Sequence, residues 1–255
     1  MIPKSTMEYI NLGAQLSYLR SARENNTVHG NDLILDNIKK FIDNIENSEF
    51  KVTQNALLEL IKFKETLEKT DKNYLISKAE VKKLYNIMDR ILLVLRAETM
   101  NYFTFSISEK RIDSSKLIFN IDLLFAKDVF NSLPDSIQYD FSEGGKCIAF
   151  ECATASAFHV LRGVEGLLRL LLIKLSPTVD VSKMDWGGVL KELKDLNIED
   201  LDVLLDDCNR IRHNYRNPTS HPDKIYNIDK AQDLFNLCVG VANDVVNYMK
   251  TNKLL

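Results

Sequence analysis

Apolar residues recur three or four positions apart along most of this chain, which is the spacing of one face of an α-helix. The run after Ser77 shows the pattern most clearly, with Val81, Leu84, Tyr85, Met88, Ile91, Leu92 and Leu95. A stripe of this kind is stable only when it is buried against other elements. Because only five prolines and nine glycines interrupt the 255 residues, there is little room for linkers between such stripes. The sequence therefore predicts an all-α protein.

The first hundred residues repeat one arrangement, in which a helix-capping residue precedes an amphipathic run and a polar break follows it. The predicted caps are Asn31, Thr53 and Ser77. Ser77 and Glu80 have the spacing of a capping box, in which each side chain binds the backbone N–H of the other residue. Short polar breaks of this kind are typical of helical bundles. We expect four antiparallel helices before Met100.

Residues 102–107 have a different pattern, because aromatic and β-branched side chains recur at alternate positions. Residues 117–121 are similarly rich in such side chains, and the two runs together predict a short β-hairpin over 102–121. A brief helix over 122–131 should end at Pro134. We therefore place a domain boundary there, between a helical N-terminal domain over 1–133 and a helical C-terminal domain over 134–255.

The C-terminal domain is predicted to be a four-helix bundle with two long and two shorter members. Ser142 should cap a long helix over 145–175, which Ser176 and Pro177 end. A short helix should begin at Asp185. Two further helices are expected over 199–216 and 229–250.

Composition limits the classes of partner. The chain has 33 basic and 36 acidic residues and a formal charge of -3, so nucleic acid could bind only at a local basic patch. The longest strongly apolar run, 167–173, is too short to cross a membrane. Residues 1–18 lack the features of a signal peptide, so we expect a cytoplasmic protein. No pair of the four cysteines has two-residue spacing, and no metal or other cofactor is expected.

The densest polar cluster runs from Asn209 to Pro222. Pro218 should end the preceding helix near Asn217, which would leave Arg216 at the helix C-terminus and His221 on the next turn. A permanently charged guanidinium beside a titratable imidazole suits phosphate chemistry, because the first binds phosphoryl oxygens and the second moves a proton. The alternative is a helix C-cap without catalysis, in which the cations meet the negative end of the helix dipole.

A second group of charges lies on the long helix, where Arg162, Glu165 and Arg169 share one stripe. Glu165 could orient Arg216 or His221 through a charge-assisted hydrogen bond. An ion-pair ladder on a solvated face fits the same spacing.

Three other side chains near these groups have two interpretations each. His159 lies on the stripe of Arg162 and Arg169, but its apolar neighbours favour a hydrogen-bonded core histidine over a functional one. Arg212 and His213 could form an RNA-facing patch, and a solvated helix face is equally consistent with them.

The six residues Arg216-Asn217-Pro218-Thr219-Ser220-His221 resemble the Arg-polar-x-x-x-His signature of the HEPN superfamily (higher eukaryotes and prokaryotes nucleotide-binding). As in that family, the signature lies at the end of the penultimate helix of the expected bundle. Residues 141–150 and 157–165 resemble the opening long helix of a bacterial subgroup. The resemblance covers roughly the last half of the chain.

The resemblance implies a metal-independent endoribonuclease that acts as a toxin or effector in bacterial antiviral defence, for example by abortive infection. It implies a homodimer in which two motifs meet in one cleft, with RNA as substrate and an antitoxin or sensor protein as a further partner. Arg216 would stabilise the transition state, His221 would act as acid or base, and Asn217 would position a phosphate. Glu165 would match the acidic residue of the facing helix, with Arg162 in support.

Two other functions stay open. The family contains inactive members, so the chain could be a sensor, scaffold or antitoxin-type subunit that binds a nucleotide or a protein. The long N-terminal helices favour this alternative, because they could present a partner-binding groove. The other open function is that of a purely structural helical adaptor, in which the motif is only a helix cap.

Overall fold

The computed structural model describes residues 5–255, and these residues form an all-α fold. Within that range, β pairing is limited to a single bridge between Thr27 and Leu75. The chain divides after Phe105 into an N-terminal unit and a C-terminal unit, each with its own apolar core. Between residues 5 and 255, no helix is both long enough and apolar enough to cross a membrane.

The N-terminal unit contains four main helices and one short one. They are α1 (Thr6–Arg20), α2 (Ile34–Glu46), α3 (Lys51–Asn55), α4 (Leu58–Glu68) and α5 (Lys78–Thr99). The capping box is confirmed: the Glu80 N–H donates to Ser77 Oγ, and the Ser77 N–H donates to the Glu80 carboxylate at 2.9 Å. Thr53 lies inside α3 instead of capping a helix, and its hydroxyl donates to Glu98 at 2.7 Å. Helix α2 begins after Leu33, not after Asn31.

The predicted hairpin is wrong. Residues 103–110 have no regular secondary structure, and Phe103 and Phe105 are more than four-fifths exposed. The second predicted strand is instead the short helix α6 (Ser114–Phe119), with the Asp113 carboxylate as its N-cap. Alternation predicts a strand only where a second strand can pair with it, and α6 removes that second strand.

The C-terminal unit is a helical bundle around a long central helix. After α6 come α7 (Asp135–Ala149), α8 (Ala153–Leu175), α9 (Trp186–Asp195), α10 (Asp202–Ile211), α11 (Asn217–Thr219) and α12 (Ile228–Thr251). Helix α8 packs against α7, α9 and α12. The predicted end of the long helix at Leu175 is confirmed, because α8 ends there and Ser176 follows it. The predicted start of the next helix at Asp185 is confirmed as well, because the Asp185 carboxylate caps α9.

The unit boundary lies 28 residues before Pro134, so Pro134 is inside the C-terminal unit and directly precedes α7. Residues before it belong to the same core, because α6 packs on α7. The region 122–131 is not one helix; two 3-10 turns, Ile121–Leu124 and Phe130–Ser132, flank an irregular segment.

The long helix predicted over 145–175 is two helices, and Ser142 lies within the first of them. The break is at Glu151, whose backbone has a positive φ of 63°. The Cys152 N–H then donates to the Cys147 carbonyl at 2.7 Å, five residues back, as in a Schellman-type helix end. Glycine is the usual residue at such a position, so the sequence carries no signal for this break.

Glycines allow α7 and α8 to pack closely. A Cβ added at Gly163 of α8 would lie 3.2 Å from the Phe141 ring and 3.4 Å from Asp140 Cβ. A Cβ at Gly144 of α7 would lie only 2.6 Å from Val160 Cγ1. Asp140 of α7 is therefore held directly against α8, which carries the charged stripe.

We expect Gly144→Ala to destabilise the C-terminal unit by about 1–2 kcal/mol. Overpacking costs about 1–3 kcal/mol, and the better helix propensity of alanine recovers up to about 1 kcal/mol. Val160 is fully buried and β-branched, so it has few rotamers with which to avoid the new methyl. Urea unfolding, followed by the fluorescence of the single tryptophan Trp186, measures the change.

Gly240→Ala is the matched control, because Gly240 lies in α12 and a Cβ there would have nothing within 4 Å. It should stabilise the unit by about 0.5–1 kcal/mol. Equal stability changes for the two variants would contradict the close packing of α7 on α8.

Candidate functional site

An open groove of about 820 Å³ lies on the C-terminal unit, beside α8 and the segment that ends in α11. Its lining residues are Phe158, His159, Leu161, Arg162, Glu165, Gly166, Arg169, Arg216, Thr219 and Ser220. Glu165 is the one carboxylate in this lining, against three arginines. The groove therefore has the charge that suits an anionic ligand.

The Glu165 carboxylate lies between two guanidinium groups. Arg169 Nη2 donates to Oε1 at 2.9 Å, and Arg216 Nη2 donates to Oε2 at 3.4 Å. Arg169 also donates to the carbonyls of Val181 and Met184, which anchors it to the loop before α9. The predicted contact between the charged stripe and the motif is therefore present for Arg216, through Glu165.

Arg216 is also held by its own motif. Its Nη1 donates to Ser220 Oγ at 2.6 Å, and about a third of its side chain is exposed. A guanidinium with five donors that binds Glu165 and Ser220 retains donors for a ligand. Arg216 is thus fixed in the groove and still able to bind an anion.

The backbone around Arg216 differs from the predicted helix end. Residues Arg212–Arg216 form a π-helical turn, in which the Asn217 N–H donates to the Arg212 carbonyl. Helical geometry then continues through Pro218 to Thr219 in α11. The Thr219 hydroxyl donates to the Tyr215 carbonyl, four residues back, at 2.6 Å. The helix therefore ends at Thr219, two residues later than predicted.

His221 and Asn217 do not line the groove. Both side chains are exposed, and neither has a hydrogen bond to another described residue. The His221 backbone N–H donates to the Pro218 carbonyl at 2.9 Å, which fixes the turn directly after Ser220. The structure thus brings Arg216, Glu165 and Ser220 together and leaves the His221 ring open to solvent.

A second polar cluster at the groove centres on Asp140, which the sequence analysis missed. Asp140 is only 5% exposed, and its carboxylate accepts from Arg162 Nε at 2.9 and 2.8 Å. The hydrogen bonds to Asp140 raise the pKa of Arg162 further above its ordinary value. His159 Nδ1 lies 3.1 Å from Asp140 Oδ1. One signal was present: Asp140 follows Ile137 by three positions and so falls on the apolar stripe of α7.

The interpretation of His159 as a hydrogen-bonded histidine agrees with this contact, but the ring lines the groove and is one-quarter exposed. Arg212 and His213 are adjacent, with 3.1 Å between Arg212 Nη2 and His213 Nε2, and both lie outside the groove lining. The Arg212 guanidinium packs over Gly187, where an added Cβ would lie 2.6 Å from its Nη1.

Across residues 5–255, no three His, Cys, Asp or Glu side chains are grouped in a way that could hold a metal ion. Comparison of the chain with protein-family models, with curated proteins and with solved structures finds no match.

Proposed function

We propose that the protein is a metal-independent endoribonuclease that acts as a toxin or effector in bacterial defence, and that RNA is cleaved in the groove beside Arg216. The supporting observation is that Arg216 and Arg169 converge on Glu165 in a groove that a third arginine, Arg162, also lines. Preorganised guanidinium groups bind phosphate oxygens and stabilise the charge that develops on them. A phosphodiester is the ligand that this arrangement suits.

In the proposed reaction, the 2′-hydroxyl of the RNA attacks the adjacent phosphorus, and the products carry a cyclic phosphate and a 5′-hydroxyl. Arg216 stabilises the extra negative charge on the phosphoryl oxygens. His221 transfers a proton, and Asn217 positions a phosphate. The HEPN resemblance further implies a homodimer, which would bring the exposed His221 of each subunit to a composite cleft, and an antitoxin or sensor partner.

We expect the wild-type protein to cleave RNA in EDTA and His221→Ala to lower the rate by about 10²–10⁴, the usual contribution of general acid–base catalysis. Folding should be unchanged, because the His221 side chain is exposed and has no hydrogen bond to a described residue. The assay measures the cleavage rate and identifies the end groups of the products.

An Arg216→Ala/His221→Ala double variant provides the inactive reference for contaminating nucleases. Unchanged cleavage by His221→Ala would rule out the assigned role of His221. Failure of the wild type to cleave total cellular RNA would contradict the proposed activity itself.

A non-catalytic nucleotide- or partner-binding module is the second candidate. It is favoured by the position of His221, whose ring does not line the groove, so Arg216 could bind a phosphate without the motif histidine. Expression in a host distinguishes the two candidates: an active ribonuclease should slow growth, and His221→Ala should relieve the effect. A binding module should be harmless in both forms.

A further inference from the structure

Cleavage of RNA without a metal requires two proton transfers, because the attacking 2′-hydroxyl loses a proton and the leaving 5′-oxygen gains one. His221 accounts for one of them. We infer that His159, positioned by Asp140, is the second proton-transfer residue and donates to the 5′-oxygen. The inference rests on the proposed ribonuclease activity and adds a residue from α8 that lies outside the Arg216–His221 motif.

The geometry of His159 matches that of a catalytic imidazole. Its Nδ1 lies 3.1 Å from Asp140 Oδ1. Because an ionised carboxylate only accepts hydrogen bonds, Nδ1 carries the proton in this pair. The other ring nitrogen, Nε2, has no hydrogen bond to a described residue. The protein thus fixes the tautomer through Nδ1 and leaves Nε2 to exchange a proton.

Asp140 is held firmly enough to position the ring. It is buried in the contact between α7 and α8, and Gly163 lets it lie against α8. Arg162 binds both of its oxygens and supplies a permanent positive charge beside it. The Tyr139 ring contacts the His159 ring edge-on, with 6.2 Å between the centroids. His159 is therefore restrained on two sides.

The location of His159 distinguishes it from a histidine with only a structural role. The same groove lining contains His159, Arg162, Glu165 and Arg216, so a phosphodiester bound to the arginines would lie in the groove that the imidazole faces. His213 is also in the C-terminal unit, but it lies outside that lining. Among the lining residues, His159 is the one imidazole.

One P–O bond forms and one breaks in this step, and a proton is transferred with each. As the bond between the 2′-oxygen and phosphorus forms, the 2′-hydroxyl proton passes to His221, which the composite cleft of the proposed homodimer brings to the phosphodiester. As the bond between phosphorus and the 5′-oxygen breaks, the 5′-oxygen takes the proton of the His159 imidazolium. The donor role suits His159 because Asp140 holds Nδ1 and leaves Nε2 free to carry the proton that is transferred. Hydrolysis of the cyclic phosphate is not needed to complete the step.

The test uses an oligoribonucleotide that the wild type cuts, made again with sulfur in place of the 5′-oxygen at the cut linkage. A thiolate leaves without protonation, since a thiol ionises near pH 8.5 and an alcohol does not. The variant is His159→Asn, whose amide retains a donor for Asp140 and removes Nε2. His29→Asn is the control, because His29 lies in the N-terminal unit, where it contacts Thr70.

We expect His159→Asn to cleave the ordinary RNA at least about 10²-fold more slowly than the wild type and the sulfur-substituted RNA at nearly the wild-type rate. Asp140→Asn should show a smaller loss that the sulfur substrate also restores, and His221→Ala should not be restored. Wild-type activity of His159→Asn on ordinary RNA would overturn the inference, as would an equal loss on both substrates. If the wild type cleaves neither RNA, the proposed ribonuclease activity falls first and the inference falls with it.

Discussion

Arg216→Ala should lower the rate of RNA cleavage by about 10²–10³, the usual effect of removing one preorganised transition-state donor. The loss should appear in kcat more than in KM, because Arg162 and Arg169 still attract the phosphate backbone. Arg216→Lys should recover only part of the rate, since an ammonium supplies the charge without the planar fork of donors. Initial rates on one oligoribonucleotide, with product ends identified, measure all three proteins.

Arg216→Ala should lose activity without losing its fold. Without Arg216, the Glu165 carboxylate retains its 2.9 Å contact with Arg169, so no buried charge is left unpaired. Arg111→Ala is the matched control, because it also removes one arginine from the C-terminal unit and its ion pair with Asp233 is exposed. Full activity of Arg216→Ala, with Arg111→Ala equally active, would exclude the groove as the active site.

Trp186→Ala should destabilise the C-terminal unit by about 3–5 kcal/mol, the cost of emptying a large buried aromatic site. Trp186 is 1% exposed and begins α9, which packs against both α8 and α10. Its loss would therefore loosen the loop carbonyls that bind Arg169 as well as the core. Urea unfolding followed by circular dichroism measures the change, because the variant has no tryptophan left to fluoresce.

Trp186→Phe is the informative comparison. The indole Nε1 is buried without a hydrogen bond to any described residue, so phenylalanine removes an unsatisfied donor while it refills much of the volume. We expect a loss of only about 1–2 kcal/mol. A loss as large as that of Trp186→Ala would contradict the expectation that phenylalanine refills most of the site.

Local signals explain what could be predicted of the fold. Ser77 with Glu80, and Asp185 before α9, bind backbone groups within three residues, so sequence spacing alone identifies those helix starts. The break at Glu151 had no such signal, because a non-glycine residue adopts a positive φ there. Its carboxylate is held by Lys110 at 2.9 Å, a contact across 41 residues that no local pattern reveals.

The candidate site likewise contains residues that the sequence predicted and one that it did not. Arg216 and Glu165 were predicted from the motif and the stripe on α8, and the structure brings them within 3.4 Å of each other. Asp140 was missed because its partners, His159 and Arg162, are 19 and 22 residues away. The two clusters meet in one groove because His159, Arg162, Glu165 and Arg169 all lie on α8. The close packing of α7 on α8, which Gly144 and Gly163 allow, brings Asp140 to them.

A π turn holds one more residue than an α turn, so the turn over Arg212–Arg216 is equivalent to a single-residue insertion within a helix. Each residue of an α-helix rotates the chain by about 100°. Without the extra residue, the segment that carries Ser220 and His221 would be rotated about the helix axis by about 100° from its observed orientation. One residue gained or lost in this turn would therefore turn Thr219 and Ser220 away from α8 and remove one side of the groove, with the side chains on α8 unchanged.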